Sequence, residues 1–158
     1  MAAETAPTVL DVGCGANKRN PGAIGLDLRA YADVDVVADL DSAAGLPFES
    51  NRFDEVLAYS VLEHVRDLPQ TMAELHRIAT PGGTIRGKVP HWRDRNAYVD
   101  PTHEQLFDER TFDFWDPTTE HGAMGYFDVE FRVRRAQRIR RVQFWKSRPI
   151  AFELEVVK

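Results

Sequence analysis

The sequence predicts an α/β domain over residues 8–158: a mainly parallel sheet with an antiparallel C-terminal edge, preceded by a loose tail at residues 1–7. Three observations carry that reading. Strand-like apolar runs alternate with helical material in the first half of the chain. Period-two alternation dominates the last third. The first two strand-like runs are separated only by residues 13–23, too few for an ordinary crossover helix, so this connection must be nearly all loop.

"TVLDV" is a short β-rich run ending at Gly13, as a buried parallel strand would. "AIGLDL" reads as the second strand, "VDVVADL" as the third, and Glu55 to Tyr59 as the fourth. "LPQTMAELHRIAT" places Leu68, Met72, Leu75 and Ala79 on one helical face. Asp67 caps that helix, Pro69 suits its first turn, and Pro81–Gly83 should end it. "GTIRGKVP" is the fifth strand, followed by a long loop and a short helix "ERTFDFW" with Asp108 as its cap. "FDVEFRV" and "RPIAFELEVV" read as the closing antiparallel strands.

Composition narrows the class. No apolar stretch approaches the ~20 residues a membrane span needs. The first residues lack the basic flank and apolar centre of a signal peptide. Cys14 is the sole cysteine, which excludes an intrachain disulfide and argues against a cysteine zinc site. A cytoplasmic setting is the expectation. The net charge of −5 is uneven: residues 132–148 carry seven Arg and one Lys without an acid, leaving −13 elsewhere. That stretch reads as a solvated strand face first, and as a site for an anionic substrate or a polyanion second. The acidic remainder argues against nucleic acid as partner.

The stretch "GCGANKRNPGAIGLDL" holds the candidate site. Gly13 and Gly15 at a strand end let a ligand approach the backbone, although a tight turn alone would also use them. Asp27 and Asp39 follow at twelve-residue intervals, and with Asp11 they make an acidic rim at successive strand ends. Two ligands compete. A dinucleotide needs a helix N-terminus for its pyrophosphate and a third glycine, where this chain has Lys18. S-adenosylmethionine has no phosphate; its sulfonium, ammonium and ribose favour carboxylates.

Taken together, "VLDVGCG", "IGLDL", "VVADLDSAAGLPFESNRFDEVLAYSVLEHVRD" and "ELHRIATPGGTI" resemble a class I S-adenosylmethionine-dependent methyltransferase of the small type 11 group. The resemblance covers about residues 8–90, and the glycine stretch is similar to a subset with a shortened or absent first helix. It implies a Rossmann-like, mainly parallel seven-stranded sheet whose last hairpin holds an antiparallel strand. It also implies site roles. Asp11 would orient the methionine ammonium, with Gly13 and Gly15 along the methionine end. Asp27 would take the ribose hydroxyls, beside Leu28. Asp39 would face the adenine amine, with the Leu40 amide donating to the ring. Tyr59 and Ser60 would border methionine and substrate. Asn17 and Lys18 are candidates to hold the carboxylate.

Methyl transfer to a hydroxyl or an ammonium needs a group to remove a proton. His103 is the expected base, oriented by Asp100 or Glu104, with His91 second; each could instead fasten the loop. His64 reads as a loop holder. His91, Asp100 and His103 lack a recognised ligand spacing, so no metal is expected. The aromatics from Trp92 to Trp115 form either a satellite core or a substrate pocket, with Phe112 and Trp115 read as core. The expected function is methyl transfer to oxygen or nitrogen of a small-molecule acceptor. The alternatives are a non-catalytic S-adenosylmethionine-binding subunit and an NAD-dependent oxidoreductase. The short chain leaves little room for a substrate lid, which a partner chain or a homodimer could supply.

Overall fold

The computed structural model describes residues 8–139 and 148–158. The expected tail at residues 1–7 and the basic residues 140–147 lie outside the described residues. Seven strands are present: β1 (Val9–Val12), β2 (Ile24–Asp27), β3 (Val36–Val37), β4 (Phe53–Tyr59), β5 (Ala79–Val89), β6 (Glu130–Arg138) and β7 (Ile150–Val157). Two α-helices, α1 (Leu68–Ile78) and α2 (Asn96–Val99), join them, with 3-10 turns at Leu62–His64, Thr111–Trp115 and Gly122–Met124.

The strands form one sheet in the order β3-β2-β1-β4-β5-β7-β6. The first five run parallel, β7 is antiparallel to β5, and β6 is antiparallel to β7. This is the Rossmann-like α/β architecture the sequence predicts. Residues 13–23 contain no helix, so the shortened first crossover is real.

Local differences from the sequence reading have identifiable causes. β3 keeps two residues because the chain turns directly afterwards: Ala38 N–H still reaches Asp27 O, but Asp39 Oδ1 then accepts from Asp41 N at 2.9 Å. β4 starts at Phe53 rather than Glu55. Helix α1 stops at Ile78, not at Pro81–Gly83, since its last carbonyls are taken by the Asn51 and Arg52 amides leading into β4. Pro81–Gly83 lies inside β5, beside a register shift between Phe53 and Glu55. The start of α1 is as expected, with Asp67 Oδ1 accepting from Gln70 N at 2.9 Å. Asp108 bonds to Arg110 N and precedes a 3-10 turn, not an α-helix.

The sheet is packed chiefly on one side. Leu10, Val12, Val56, Ala58, Ile85, Val89, Phe152 and Leu154 join Met72, Leu75 and Ile78 of α1 in one core, which Phe107, Phe112, Trp115 and Phe131 extend. Phe112 and Trp115 are buried, as core residues should be. Among the described residues, the opposite face holds a small buried group, Val9, Ala23 and Leu57, with Tyr59 against it. Around that group lie ion pairs such as Glu55–Arg86 and Arg134–Glu155. Of the arginine-rich stretch, Arg132, Arg134 and Arg138 pair with Asp116, Glu155 and Glu109, in keeping with a solvated strand face.

With few crossover helices, side chains must fix the long connections. Arg77 does this for residues 46–50. Its guanidinium donates to Phe48 O at 2.9 Å, Leu46 O at 3.2 Å and Glu74 Oε1 at 2.6 Å. Glu74 in turn accepts from Leu46 N at 2.6 Å, and the Arg77 side chain holds its carboxyl below the ordinary range. A carboxylate with a lowered folded value adds stability above its unfolded pKa and loses it as pH falls through the folded one. Arg77→Ala is expected to lower unfolding free energy by about 2 kcal/mol, discounted for a partly exposed group. Urea denaturation at pH 7 measures this, and the deficit should shrink toward pH 3 as Glu74 protonates.

Candidate functional site

The C-terminal ends of β1, β2 and β4 converge on a cavity of ≈ 530 Å³. Gly13, Gly15, Asp27, Leu28, Asp39, Leu40 and Ser60 line it, so seven of the nine residues expected at a cofactor site are brought together. Gly13 and Gly15 have φ of +65° and +60°, left-handed values that a side chain would resist. At Gly13 a Cβ would also lie 2.5 Å from Val61 Cγ2. The two turns aim the Gly15 amide at Asp27 Oδ2, 3.0 Å away, while Asp27 Oδ1 accepts from Arg29 N at 3.2 Å. A carboxylate has about four acceptor positions, so two remain on Asp27 for a ligand. Asp27, Asp39, Asp41 and Arg29 line the cavity, with Asp41 paired to Arg66 at 3.5 Å, so the lining carries more acid than base.

Asp11 and Tyr59 do not line this cavity; both project to the other face of the sheet. β1 alternates, with Leu10 and Val12 in the main core, so Asp11 points away from them and is buried at 1% exposure. Its Oδ2 accepts from Arg19 N at 2.7 Å, and burial raises its pKa against the lowering by that bond. Tyr59 lies under the Arg19 guanidinium, 4.1 Å from ring centroid to Cζ. Both instead contact Arg19 and so hold the loop of residues 13–23. Lys18 is committed likewise: its N–H bonds Asp33 Oδ2 and its Nζ bonds Asp35 Oδ2, both at 2.9 Å.

A second cavity of ≈ 250 Å³ lies on the other side of Ser60, which borders both. Its wall includes Glu63, Lys88, Asn96 and His103. Ser60 itself has φ of +54°, held by its N–H to Lys88 O at 2.8 Å. The long loop after β5 is zipped onto the 3-10 turn at Leu62–His64: Glu63 O accepts from Glu104 N at 2.8 Å and Gln105 N at 3.1 Å. This sets the His64 and His103 rings edge to face, 4.7 Å between centroids. His64 Nδ1 meets Thr102 Oγ1 at 2.9 Å, while Thr102 Oγ1 donates to Asp100 Oδ1 at 2.7 Å. His103 Nδ1 meets Ala97 O at 3.3 Å, and its Nε2 is 3.8 Å from Asp100 Oδ2. Glu104, the other expected orienting residue, instead contributes its backbone amide to the zipper.

His91 is elsewhere. It is 3% exposed, its Nε2 is 3.0 Å from Glu109 Oε2, and its Nδ1 accepts from Arg93 N at 3.0 Å. Both ring nitrogens are engaged, so this histidine fastens the loop and lines neither cavity. Glu63 is the residue that sequence reasoning missed. It is 3% exposed, its Oε2 is buried without a partner, and burial pushes its carboxyl up to about 7. The available signal was the pair Glu63–His64 inside the apolar run "VLEHV": two adjacent polar residues there need partners.

Comparison with known proteins agrees with this arrangement. The model of a family described as "Methyltransferase domain" matches residues 10–86. The mitochondrial arginine-hydroxylase NDUFAF5 of Rattus norvegicus is 32% identical over 98 residues, 52% of this chain and 29% of that protein. The 2-phytyl-1,4-naphtoquinone methyltransferase of Nostoc punctiforme is 26% identical over 112 residues, 64% of this chain and 46% of that one. The chain thus spans under half the length of either curated relative. Among solved structures, a Haloferax volcanii methyltransferase in complex with the Trm112 methyltransferase activator superposes with a TM-score of 0.67 at 17% identity, covering 100% of this chain and 86% of that one. A Burkholderia thailandensis N1-methyltransferase with bound S-adenosylhomocysteine gives 0.66 at 15% identity, over 96% and 72% of the two chains. Residues 10–86, which include the glycine turn and the acidic strand ends around the cavity, thus match a methyltransferase domain, and the solved methyltransferase structures share the fold.

Proposed function

We propose that this chain transfers the methyl group of S-adenosylmethionine to an oxygen or nitrogen of a small-molecule acceptor. The observation that carries the reading is the pair of cavities meeting at Ser60. The larger one has the acidic lining that suits a sulfonium and an ammonium. The smaller one gives the acceptor a place beside the methyl group. Asp27 takes the ribose hydroxyls with its two remaining acceptor positions, and Asp39 faces the adenine amine beside the Leu40 amide. Gly13 and Gly15 admit the methionine end. Asp11 and Tyr59 act through the loop they hold. His103, with Nε2 unbonded at the wall of the smaller cavity, acts on the acceptor's proton. His91 keeps the loop that carries it in place.

Methyl transfer is an in-line displacement at a carbon already activated by the sulfonium. Alignment and exclusion of water are the main protein contributions. A dinucleotide fits less well, because the residues 13–23 loop has no helix N-terminus and Lys18 is already paired. Among the described residues, no helix is long and apolar enough to cross a membrane.

Calorimetry with S-adenosylmethionine, S-adenosylhomocysteine and NAD tests the cofactor. Micromolar NAD binding with neither sulfur ligand bound would reject the reading. Asp27→Ala should weaken S-adenosylhomocysteine by about 1–3 kcal/mol. Asp11→Ala should lower both affinity and melting temperature, since it frees the loop. In an acceptor screen with a methyl-donor assay, His103→Ala should reduce turnover at least tenfold while S-adenosylhomocysteine affinity is retained. Equal turnover would remove His103 from the chemistry, and turnover by the purified wild-type chain excludes a purely accessory role.

A further inference from the structure

Two clusters of nitrogen and oxygen ligand atoms occur among the described residues: His91, Asp108 and Glu109, and Glu63, His64 and His103. In each, one atom per residue lies within 4.8 Å of the others. They differ in what their lone pairs meet. In the first cluster acceptors face donors. Nδ1 of His91 accepts an amide, so its proton sits on Nε2 and goes to Glu109; Glu109 also takes the Arg138 guanidinium, and Asp108 takes the Trp92 indole N–H. That network is closed.

In the second cluster acceptors face acceptors. The Thr102 hydroxyl has one proton and gives it to Asp100, so its oxygen receives the Nδ1–H of His64. The Ala97 carbonyl can only accept, so His103 also carries its proton on Nδ1. Each neutral ring therefore presents a bare Nε2 lone pair. The Asp100 carboxylate is 3.8 Å from His103 Nε2 and has no proton to offer. Glu63 adds Oε2, buried and unpartnered. One ligand atom of each residue lies within 4.8 Å of the others, and Glu63 Oε2 is buried without a partner, so a cation would satisfy the three lone-pair groups together.

We propose that Glu63, His64 and His103 bind a first-row divalent cation of the zinc type. Two imidazoles and one carboxylate favour such an ion over Mg²⁺ or Ca²⁺, which prefer all-oxygen sites. The Ala97 carbonyl and the Thr102–Asp100 pair fix the rings as outer partners of metal-bound histidines do. His64 borders the larger cavity and Glu63 and His103 the smaller one, so the cation sits in the wall between them. Three protein ligands leave a position open for an acceptor oxygen.

The binding stands on the cluster alone; its use rests on the methyl-transfer reading. A hydroxyl acceptor held by the cation releases its proton to water. Its oxygen lone pair forms the new C–O bond, the C–S bond breaks, and that electron pair stays on sulfur as a neutral thioether. On that arrangement His103 serves the acceptor's proton loss as a ligand of the cation, in place of taking the proton itself. The full chain, stripped with a chelator, is titrated with Zn²⁺ by calorimetry and with Co²⁺ by visible absorption. One equivalent of Zn²⁺, a Co²⁺ ligand-field band, and no heat with Mg²⁺ are expected. Glu63→Gln, which keeps side-chain volume, and His103→Ala should each weaken Zn²⁺ at least tenfold while melting cooperatively; the distant His121→Ala should bind as wild type. Absence of Zn²⁺ binding by the wild-type chain, or equal affinity in Glu63→Gln and His103→Ala, overturns the proposal. Zn²⁺ binding without S-adenosylhomocysteine binding would uphold it and reject the cofactor reading instead.

Discussion

The bonds between carboxylates and backbone amides around the residues 13–23 loop are the constraint on which the site depends. A crossover helix would satisfy its own amides and cover the sheet; this loop does little of either, with one internal backbone bond from Ala23 N to Asn20 O and Ala23 alone packed on Val9 and Leu57. Asp11 takes the amide of Arg19, Asp33 that of Lys18, Asp35 that of Gly25, and Asp27 that of Gly15. These four carboxylates hold the loop with charged hydrogen bonds, each stronger than a neutral one. Asp27 alone of the four also faces the cavity, so the residue best placed to read a ribose is itself positioned by the loop it stabilises.

Economy of helices has a second effect. With α1 on one face and polar residues over much of the other, the sheet behaves as a half-exposed layer rather than a fully covered one. Alternation in β5 and β7 records this directly: Ile85, Gly87 and Val89 face inward, while Thr84, Arg86 and Lys88 do not. The connections must then be fixed by individual side chains. Arg77 and Glu74 do so on one side of the molecule, and Gln105, whose amide donates to the carbonyls of Val65 and Arg66, does so on the other.

Much of this architecture was legible in the sequence because short-range chemistry writes it: the strand runs, the Asp67 cap, and the glycine turn followed by spaced acids. Of the cavity-lining residues, Gly13, Gly15, Asp27 and Asp39 followed from strand ends, and Leu28, Leu40 and Ser60 from the family resemblance. Asp11 and Tyr59 fall outside that cavity for one reason. Each alternates with a core residue, and sequence order does not say which side of the sheet a ligand approaches. Glu63 was missed for another, since the polar pair it makes with His64 in an apolar run signals a need for partners without saying which. Its significance arises from contact with a loop some forty residues later, through Thr102 to Gln105, and no local pattern encodes that meeting. The sequence also overextended β3, where the acids that favour the site end the strand.

Ser60 has a consequence beyond lining. It is a non-glycine residue in the left-handed region, a costly geometry, and its amide is tied to the neighbouring strand at Lys88. It forms part of both chambers, so any change in its backbone reshapes the two walls together.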